Sequence, residues 1–307
     1  MNPDFADCWF LTGQTASGKT EVGIRLAERI GAEIVSMDSM ALYRRMDVGT
    51  AKPTVEERQR VPHHLVDLIE PHEEFSLAAY LEAAAEAARA IRERNREVLF
   101  VGGTPLYLKG LLRGIFRGPP ADWEFRRRIE AEARQQGRGW LHAQLAAVDP
   151  AAAERLHAND VRRVVRALEV FEKTGVPLSR WQQQFARGRP AEACRVYVLQ
   201  WPADRLHERI DRRVEAMMAA GLVDEVRRLR AEPYPLSRTA RQALGYREVF
   251  EHLAGERDLE ATTALIQQRT RQFAKRQATW FRSLSECRFL HAAGRTAAEL
   301  AEQVAEG

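Results

Sequence analysis

The chain has 307 residues and a mass of 34.9 kDa, room for about two domains of ordinary size. Apolar residues make up 45% and charged residues 29%, which excludes a disordered chain, and no apolar run is long enough for a membrane helix. The formal charge is +4, a mean that hides its distribution along the chain.

The start, Met1-Asn2-Pro3-Asp4, lacks the charge and apolar order of a secretory signal. Cys8-Trp9-Phe10-Leu11 then reads as a buried strand. A Gly-rich turn follows, and Val22, Leu26 and Ile30 have helical spacing over residues 21–30. Glu33-Ile34-Val35-Ser36 is a second strand, ending at Met37-Asp38-Ser39. Ser76 is the predicted N-cap of a long Ala- and Glu-rich helix through Arg94. Val98-Leu99-Phe100-Val101 is a buried strand that ends in Gly102-Gly103-Thr104. Strands and helices in alternation predict a parallel sheet covered by helices.

Beyond Gly114 the pattern changes. Gly118-Pro119-Pro120 breaks the chain, and from Asp122 to about Phe185 every segment has helical spacing. Gly188-Arg189-Pro190 marks the exit, Arg195 to Leu199 is again a strand, and residues 203–290 read as helix. The expected class is therefore α/β: a P-loop NTPase-like parallel sheet flanked by helices, with an all-helical insertion. Residues 1–114 and 196–307 form the core and 115–195 the insertion. The three cysteines, Cys8, Cys194 and Cys287, are too far apart for a disulfide framework or a CxxC zinc site, so a reducing cytoplasm is expected.

Charge is unevenly spread. Residues 115–195 hold fifteen basic against ten acidic side chains, and residues 266–290 six against one. A polyanion-binding surface needs such a concentration. The alternative is an Arg-rich composition with no binding role, since only five of the 47 basic residues are Lys.

Gly13-Gln14-Thr15-Ala16-Ser17-Gly18-Lys19-Thr20 matches G-x-x-x-x-G-K-[ST] and lies between a strand and a helix, as that motif requires. Its amides and the helix N-terminus suit phosphate oxygens, Lys19 a terminal phosphate, and the Thr20 hydroxyl Mg²⁺. The motif specifies a diphosphate or triphosphate, not ATP in particular. A phosphoryl-transfer enzyme of this class holds Mg²⁺ with an Asp at the end of a second strand. Gly102-Gly103-Thr104 occupies that place here, which weakens the NTPase reading. Asp38 lies just past a strand end, on the edge where such sheets bind ligands. From position alone it is equally a general base, a magnesium ligand through water, or a helix N-cap.

Several segments resemble the tRNA dimethylallyltransferases, also called tRNA isopentenyltransferases. They are Asp38 to Pro53, His63-His64-Leu65-Val66-Asp67, Gly102-Gly103-Thr104-Pro105-Leu106-Tyr107, Asn159-Asp160 with Arg162 to Glu169, Gly245-Tyr246-Arg247, and Lys275 to Arg282. They run in order along nearly the whole chain. Gln14 stands where Pro is usual, and Ala41 where many members have Gln.

The resemblance implies transfer of a dimethylallyl group from dimethylallyl diphosphate to N6 of adenosine 37 of tRNA. It implies Asp38 as the base, Thr104 and Arg213 as catalytic partners, and Gly13, Thr15, Ala16, Ser17, Gly18, Lys19 and Thr20 as the diphosphate cradle, with Mg²⁺ on Thr20. It implies tRNA contacts by Asp38, Ser39, Met40, Ala41 and Thr104. Others follow from Arg126, Arg162, Arg163 and Arg166 in the insertion, and from Gly245, Tyr246, Arg247, Lys275, Arg276 and Arg282 near the end. The partner is the anticodon stem-loop, with no membrane, and the protein is expected to be a monomer.

Some assignments stay open against structural alternatives. Arg209 and Arg213 share a helix face, and Arg209 and Arg212 read as a solvated face. Arg271, Lys275 and Arg282 share a face by their spacing. Ile266, Phe273, Trp280 and Leu284 read as the opposite, buried stripe. Arg162, Arg163 and Arg166 could instead pair internally with Asp160 and Glu169. His63 and His64 have no partners at metal-binding spacing and read as structural. The rival functions are a P-loop kinase of a small metabolite, an isopentenyltransferase of free adenylate, and a non-enzymatic RNA-binding P-loop protein.

Overall fold

The structure is a computed structural model and describes residues 3–116, 118–137, 139–182 and 188–307. Its strands are β1 (Trp9–Gly13), β2 (Ala32–Ser36), β3 (His63–His64), β4 (Glu97–Val101), β5 (Val196–Gln200) and β6 (Cys287–His291). They form one sheet in the order β3-β2-β4-β1-β5-β6. Every adjacent pair is parallel. The central strand β1 sets Leu11 opposite Val101 on one side and Tyr197 on the other. A strand buried on both sides needs a continuous apolar run, which Phe10-Leu11 and Leu99-Phe100 supply.

Around the sheet lie α1 (Lys19–Ile30), α2 (Val55–Arg60), α3 (Leu77–Glu93) and α4 (Pro105–Arg113). Helix α1 carries the chain from β1 past β4 to β2. Ser76 caps α3 by accepting the Ala79 amide at 3.1 Å. One face of the sheet packs Leu11, Ile34, Leu99 and Leu199 against Ile24 and Leu26 of α1 and against Leu300 and Val304 near the C-terminus. Elsewhere in the core the Phe100 ring stacks on Phe10 at 5.1 Å and meets Phe5 edge-on at 5.5 Å.

The chain divides into two compact units, Met1–Leu112 with Gly188–Gly307, and Arg113–Arg187. The second contains α5 (Trp123–Gln136), α6 (Trp140–Val148), α7 (Pro150–Arg155), α8 (Val161–Thr174) and α9 (Leu178–Trp181), and no strand among its described residues. Its core is Phe125, Leu141, Leu145, Val164, Val165, Leu168, Val170 and Leu178. The expected helix as far as Phe185 falls partly on 183–187, outside the described residues. Within α8, Asp160 caps the first turn through the Arg163 amide.

The remaining helices belong to the first unit: α10 (Ala203–Ala219), α11 (Leu222–Arg230), α12 (Arg238–Arg241), α13 (Tyr246–Leu253), α14 (Leu259–Arg282) and α15 (Ala297–Glu306). Two strands escape the sequence reading. Strand β3 is only two residues long. Strand β6 lies in a stretch read as continuous helix to 290. Helix α14 stops at its C-cap Ser283, and Cys287 to His291 then pair with Val196 to Gln200 of β5. Cys287 and Leu290 turn inward while Phe289 and His291 are exposed, a mixed pattern too short to stand out after a 24-residue helix.

Candidate active site

The carboxyl ends of β1, β2, β4 and β5 meet on one edge, where a sheet of this kind changes winding direction and binds its ligands. Residues Gly13–Thr20 turn there from β1 into α1. Ala16 is held at φ 61°, a left-handed conformation that costs a residue with a Cβ roughly 1–2 kcal/mol. The loop's carbonyls are taken from behind. Lys19 Nζ donates to the Gly13 and Gln14 oxygens at 3.0 and 2.7 Å. Arg209 Nε donates to the Ala16 oxygen at 2.8 Å, its guanidinium lying 4.3 Å over the Trp201 ring. Trp201 Nε1 donates to the Ser17 oxygen at 3.0 Å. What remains are donors: the first-turn amides of α1, which have no intrahelical acceptor. The buried Ser17 hydroxyl has no hydrogen-bond partner among the described residues. Such a cradle fits an anion.

Asp38 and Thr104 stand at the neighbouring strand ends. The backbone joins them closely: Met37 N donates to the Val101 oxygen at 2.8 Å, and Thr104 N to the Met37 oxygen at 3.2 Å. Gly102 permits this approach, since a Cβ there would lie 2.1 Å from the Met37 oxygen. Thr104 Oγ1 accepts the Ser39 amide at 3.0 Å, and Asp38 Oδ1 accepts the Met40 amide at 2.9 Å. One Asp38 oxygen thus fixes a turn. The other has no hydrogen-bond donor among the described residues.

Electrostatics tie these groups to α10. Burial, then the Arg213 charge, draw the Lys19 ammonium down to about 7, against the pull of the Asp38 carboxylate. Burial also lowers Arg213, and Asp38 again opposes it. Tyr80 and Tyr107 stack at 3.8 Å, and burial raises both phenols, with Asp38 adding to the shift. Two cations held back from water and one carboxylate form an excess of positive charge beside the loop's amides. A bound diphosphate would relieve it. For a cation the donor set is narrow. The Thr20 hydroxyl sits at the loop, and among the described residues no group of three His, Cys, Asp or Glu side chains could hold a metal. That fits a magnesium ion bound chiefly through phosphate oxygens and water.

A family model described as IPP transferase matches residues 41–284. The chain belongs to that family. It is 48% identical over 296 residues to a tRNA dimethylallyltransferase of Rhodopirellula baltica, covering 94% of this chain and 89% of the relative. It resembles the crystal structure of the full-length tRNA isopentenylpyrophosphate transferase of Bacillus halodurans with a TM-score of 0.71 at 35% identity, covering 98% and 95% of the two chains. Snapshots of a eukaryotic dimethylallyltransferase acting on tRNA match with a TM-score of 0.76 at 25% identity, over 94% of this chain and 74% of that one.

Several of the residues expected to contact tRNA are buried or paired within the protein. Tyr246 is fully buried and donates its hydroxyl to Glu225 at 2.6 Å; Gly245 is buried before it at the start of α13. Ala41 is buried, and its carbonyl accepts the Asp67 amide. Arg126 grips the buried Glu169 with two bonds of 2.8 Å, and Arg166 closes on the same carboxylate. Arg163 pairs with Asp160 at 3.2 Å but is exposed, as is Arg162. Exposed Arg247 reaches the buried Glu248 at 2.9 Å. Lys275, Arg276 and Arg282 are exposed along α14, while Arg271 is tied to Asp211.

The inward stripe of α14 is Ile266, Thr270, Ala274, Gln277 and Phe281, so Phe273, expected inside, is 37% exposed with Arg276 over its ring. Trp280, also read as core, is half-buried. Polar residues interrupt that stripe, and this shifted the apparent face. Arg209 is not a solvated arginine; its place four residues before Arg213 was the available signal. Gln277 also escaped notice, although a glutamine between Ala274 and Phe281 points inward by spacing alone. His63 Nδ1 bonds the Val61 carbonyl at 2.7 Å and His64 Nε2 bonds Glu33 at 2.6 Å, so both are structural.

Proposed function

We propose that this protein transfers a dimethylallyl group from dimethylallyl diphosphate to N6 of adenosine 37 in tRNA, releasing diphosphate. The observation that carries the reading is an anion cradle with the first-turn amides of α1 open beside Asp38, where β4 leads into Gly102-Gly103-Thr104 and not into a carboxylate. Membership in the IPP transferase family supports the same reaction.

N6 of adenine is a weak nucleophile because its lone pair is delocalised into the ring. As the lone pair attacks C1 of the dimethylallyl group, the C1–O bond breaks and its electron pair leaves with the diphosphate. Asp38 takes the N6 proton, a contribution of roughly 100- to 10,000-fold in rate for a positioned base. The first-turn amides of α1, Lys19 and Arg213 meet the charge that develops on the leaving oxygen. The Thr104 hydroxyl fixes the Ser39 turn that carries Asp38 and faces the same space. Mg²⁺, held by the Thr20 hydroxyl and the diphosphate, would supply further charge neutralisation. The adenosine has to leave its stack, at a cost of a few kcal/mol offset by contacts to the extruded base.

Exposed Arg162 and Arg163 on α8 and Lys275, Arg276 and Arg282 on α14 are the cations we assign to the anticodon stem-loop. No helix among the described residues is long and apolar enough to cross a membrane, and we place the protein in the cytoplasm as a monomer.

The test is to incubate the protein with an unmodified tRNA transcript and dimethylallyl diphosphate and to analyse the nucleosides by mass spectrometry. N6-dimethylallyladenosine is expected with the wild type and not with Asp38→Asn. No prenylated nucleoside with either protein would refute the assignment.

A further inference from the structure

The P-loop is braced not only by the groups that follow it in the core but by helix α14. Gln277 lies on the inward stripe of that helix and is 3% exposed. Its Oε1 accepts the Thr15 amide at 2.8 Å, and its Nε2 donates to the Gly103 carbonyl at 2.6 Å. One primary amide therefore spans the P-loop and the turn before Thr104. One turn earlier on α14, the Ala274 carbonyl accepts Gln14 Nε2 at 3.1 Å, a second tie to the same loop. The fit around Gln277 is close: a Cβ on Gly103 would lie 2.9 Å from Nε2, 3.5 Å from the Gly13 oxygen and 3.6 Å from Lys19 Nζ. The brace thus ends against the lysine that serves the anion.

Resting on the diphosphate reading of the loop, we propose that Gln277 is a positioning residue that sets the spacing between the diphosphate cradle and the Thr104 turn. The chemistry needed is specific. The site presents one part-buried N–H and one buried C=O at opposite ends, so only a group with an acceptor at one end and a donor at the other satisfies both. A carboxylate would accept from Thr15 but meet the Gly103 carbonyl with lone pairs. A protonated carboxylic acid restores the donor and matches the amide in shape. A thioether of the same length satisfies neither end. Because the Thr15 amide is committed to Gln277, the loop's remaining amides are aimed as a set, and loosening the brace lets that set drift. Both polar ends of Gln277 are taken by the protein itself, so its loss acts on diphosphate affinity ahead of the chemical step. The same helix bears Lys275, Arg276 and Arg282, so the cradle and this basic face share one rigid support.

The experiment measures inorganic pyrophosphate binding by calorimetry, with melting curves on the same samples, for the wild type, Gln277→Met and Gln277→Glu. In Gln277→Met, pyrophosphate affinity is expected to fall by about tenfold, the worth of one or two lost hydrogen bonds, and the KM for dimethylallyl diphosphate to rise in step. The KM for tRNA is expected to stay within twofold. In Gln277→Glu, the loss relative to wild type should shrink as pH is lowered from 8 to 6 and the buried carboxyl takes a proton. At pH 6 Gln277→Glu should also bind pyrophosphate more tightly than Gln277→Met; relief of like charge alone would not give that order, because methionine carries no charge, and the melting curves show which samples are folded. Wild-type affinity in Gln277→Met, or a deficit in Gln277→Glu that is independent of pH, would overturn the inference. If the wild type itself binds no pyrophosphate, the diphosphate reading falls first, and this inference with it.

Discussion

Two loops at the same edge of the sheet are built with opposite polarity. In residues 47–52 the amides face inward onto a carboxylate the protein supplies itself. Glu225 accepts the Asp47 and Val48 amides at 2.9 Å, the Gly49 amide at 3.3 Å and the Tyr246 hydroxyl at 2.6 Å, and is 3% exposed. Lys52 closes the loop from within, bonding the Tyr43 carbonyl, Asp47 and Asp67 at 2.6–2.7 Å. In residues 13–20 the carbonyls are held by Lys19, Arg209 and Trp201, the Thr15 and Ser17 amides are taken by Gln277 and the Gln14 carbonyl, and the first-turn amides of α1 stay open. The first loop is complete without a ligand and fixes the segment after Asp38. The second leaves its first-turn donors without an acceptor of its own, as the proposed diphosphate site requires. Motif glycines alone do not distinguish them; the partners of the amides and carbonyls do.

The comparison breaks first at Asp38. Asp38→Asn keeps the shape of the turn but removes the base, so prenyl transfer is expected to fall roughly 100- to 10,000-fold while pyrophosphate binding is unchanged. Single-turnover rates beside calorimetry decide this; a transfer rate above a tenth of wild type contradicts the role.

The closed loop should respond in stability. Glu225→Ala leaves three part-buried amides and one buried phenol without their acceptor, a loss of roughly 3–5 kcal/mol in unfolding free energy. Urea denaturation should show it, with pyrophosphate affinity of the folded protein within a few-fold of wild type. Full stability with collapsed affinity would reverse the two loops' roles.

A pH dependence sharpens the open loop. Lys19 titrates at about 7 in the folded protein and at 10.5 when unfolded. Between those values the unfolded chain binds the extra proton, so this group makes stability rise with pH across that window. A diphosphate favours the charged lysine, so binding takes up a proton above pH 7. The affinity for dimethylallyl diphosphate should fall by up to about tenfold per pH unit there. Lys19→Ala should bind more weakly at pH 6 and lose most of this slope. A flat wild-type profile from pH 6 to 8.5 would contradict the assignment.

The smallest effect separates two arginines of one helix. Arg162→Ala should flatten the log–log salt dependence of tRNA binding by slightly under one unit and leave the Tm unchanged. Arg166→Ala, which removes a partner of buried Glu169, should lower the Tm and keep the slope. The reverse pattern would show that exposure does not mark the RNA contacts.

Local signals carried most of the fold. The strand–loop–helix around Gly13–Thr20, the capped helix from Ser76 and the strand ending at Gly102 all follow from apolar spacing and caps within a few residues. Strand β6 did not, because its five residues follow a long helix and pair with β5 some ninety positions earlier. The site divides the same way. Lys19 was assigned from the P-loop motif, and Asp38 and Thr104 from their places past strand ends together with the resemblance. Arg209 and Gln277 brace the loop from 193 and 262 residues away, and no local pattern announces such a pairing. Tyr246 and Ala41 share motifs with the functional segments yet pack inside, since a motif records which residues recur together and not which of them faces a ligand.

The central claim is that the open loop holds a diphosphate leaving group and not a nucleotide undergoing phosphoryl transfer. Thermal melting in the presence of Mg²⁺ with dimethylallyl diphosphate, pyrophosphate or ATP tests it most directly. A ligand at a hundred times its Kd adds about 2.7 kcal/mol, a shift of several degrees in Tm. Dimethylallyl diphosphate and pyrophosphate should both produce that saturable shift, and ATP should leave no ADP behind. Protection by ATP alone, with ADP formed on adding a hydroxylated acceptor, would make this a kinase and contradict the account.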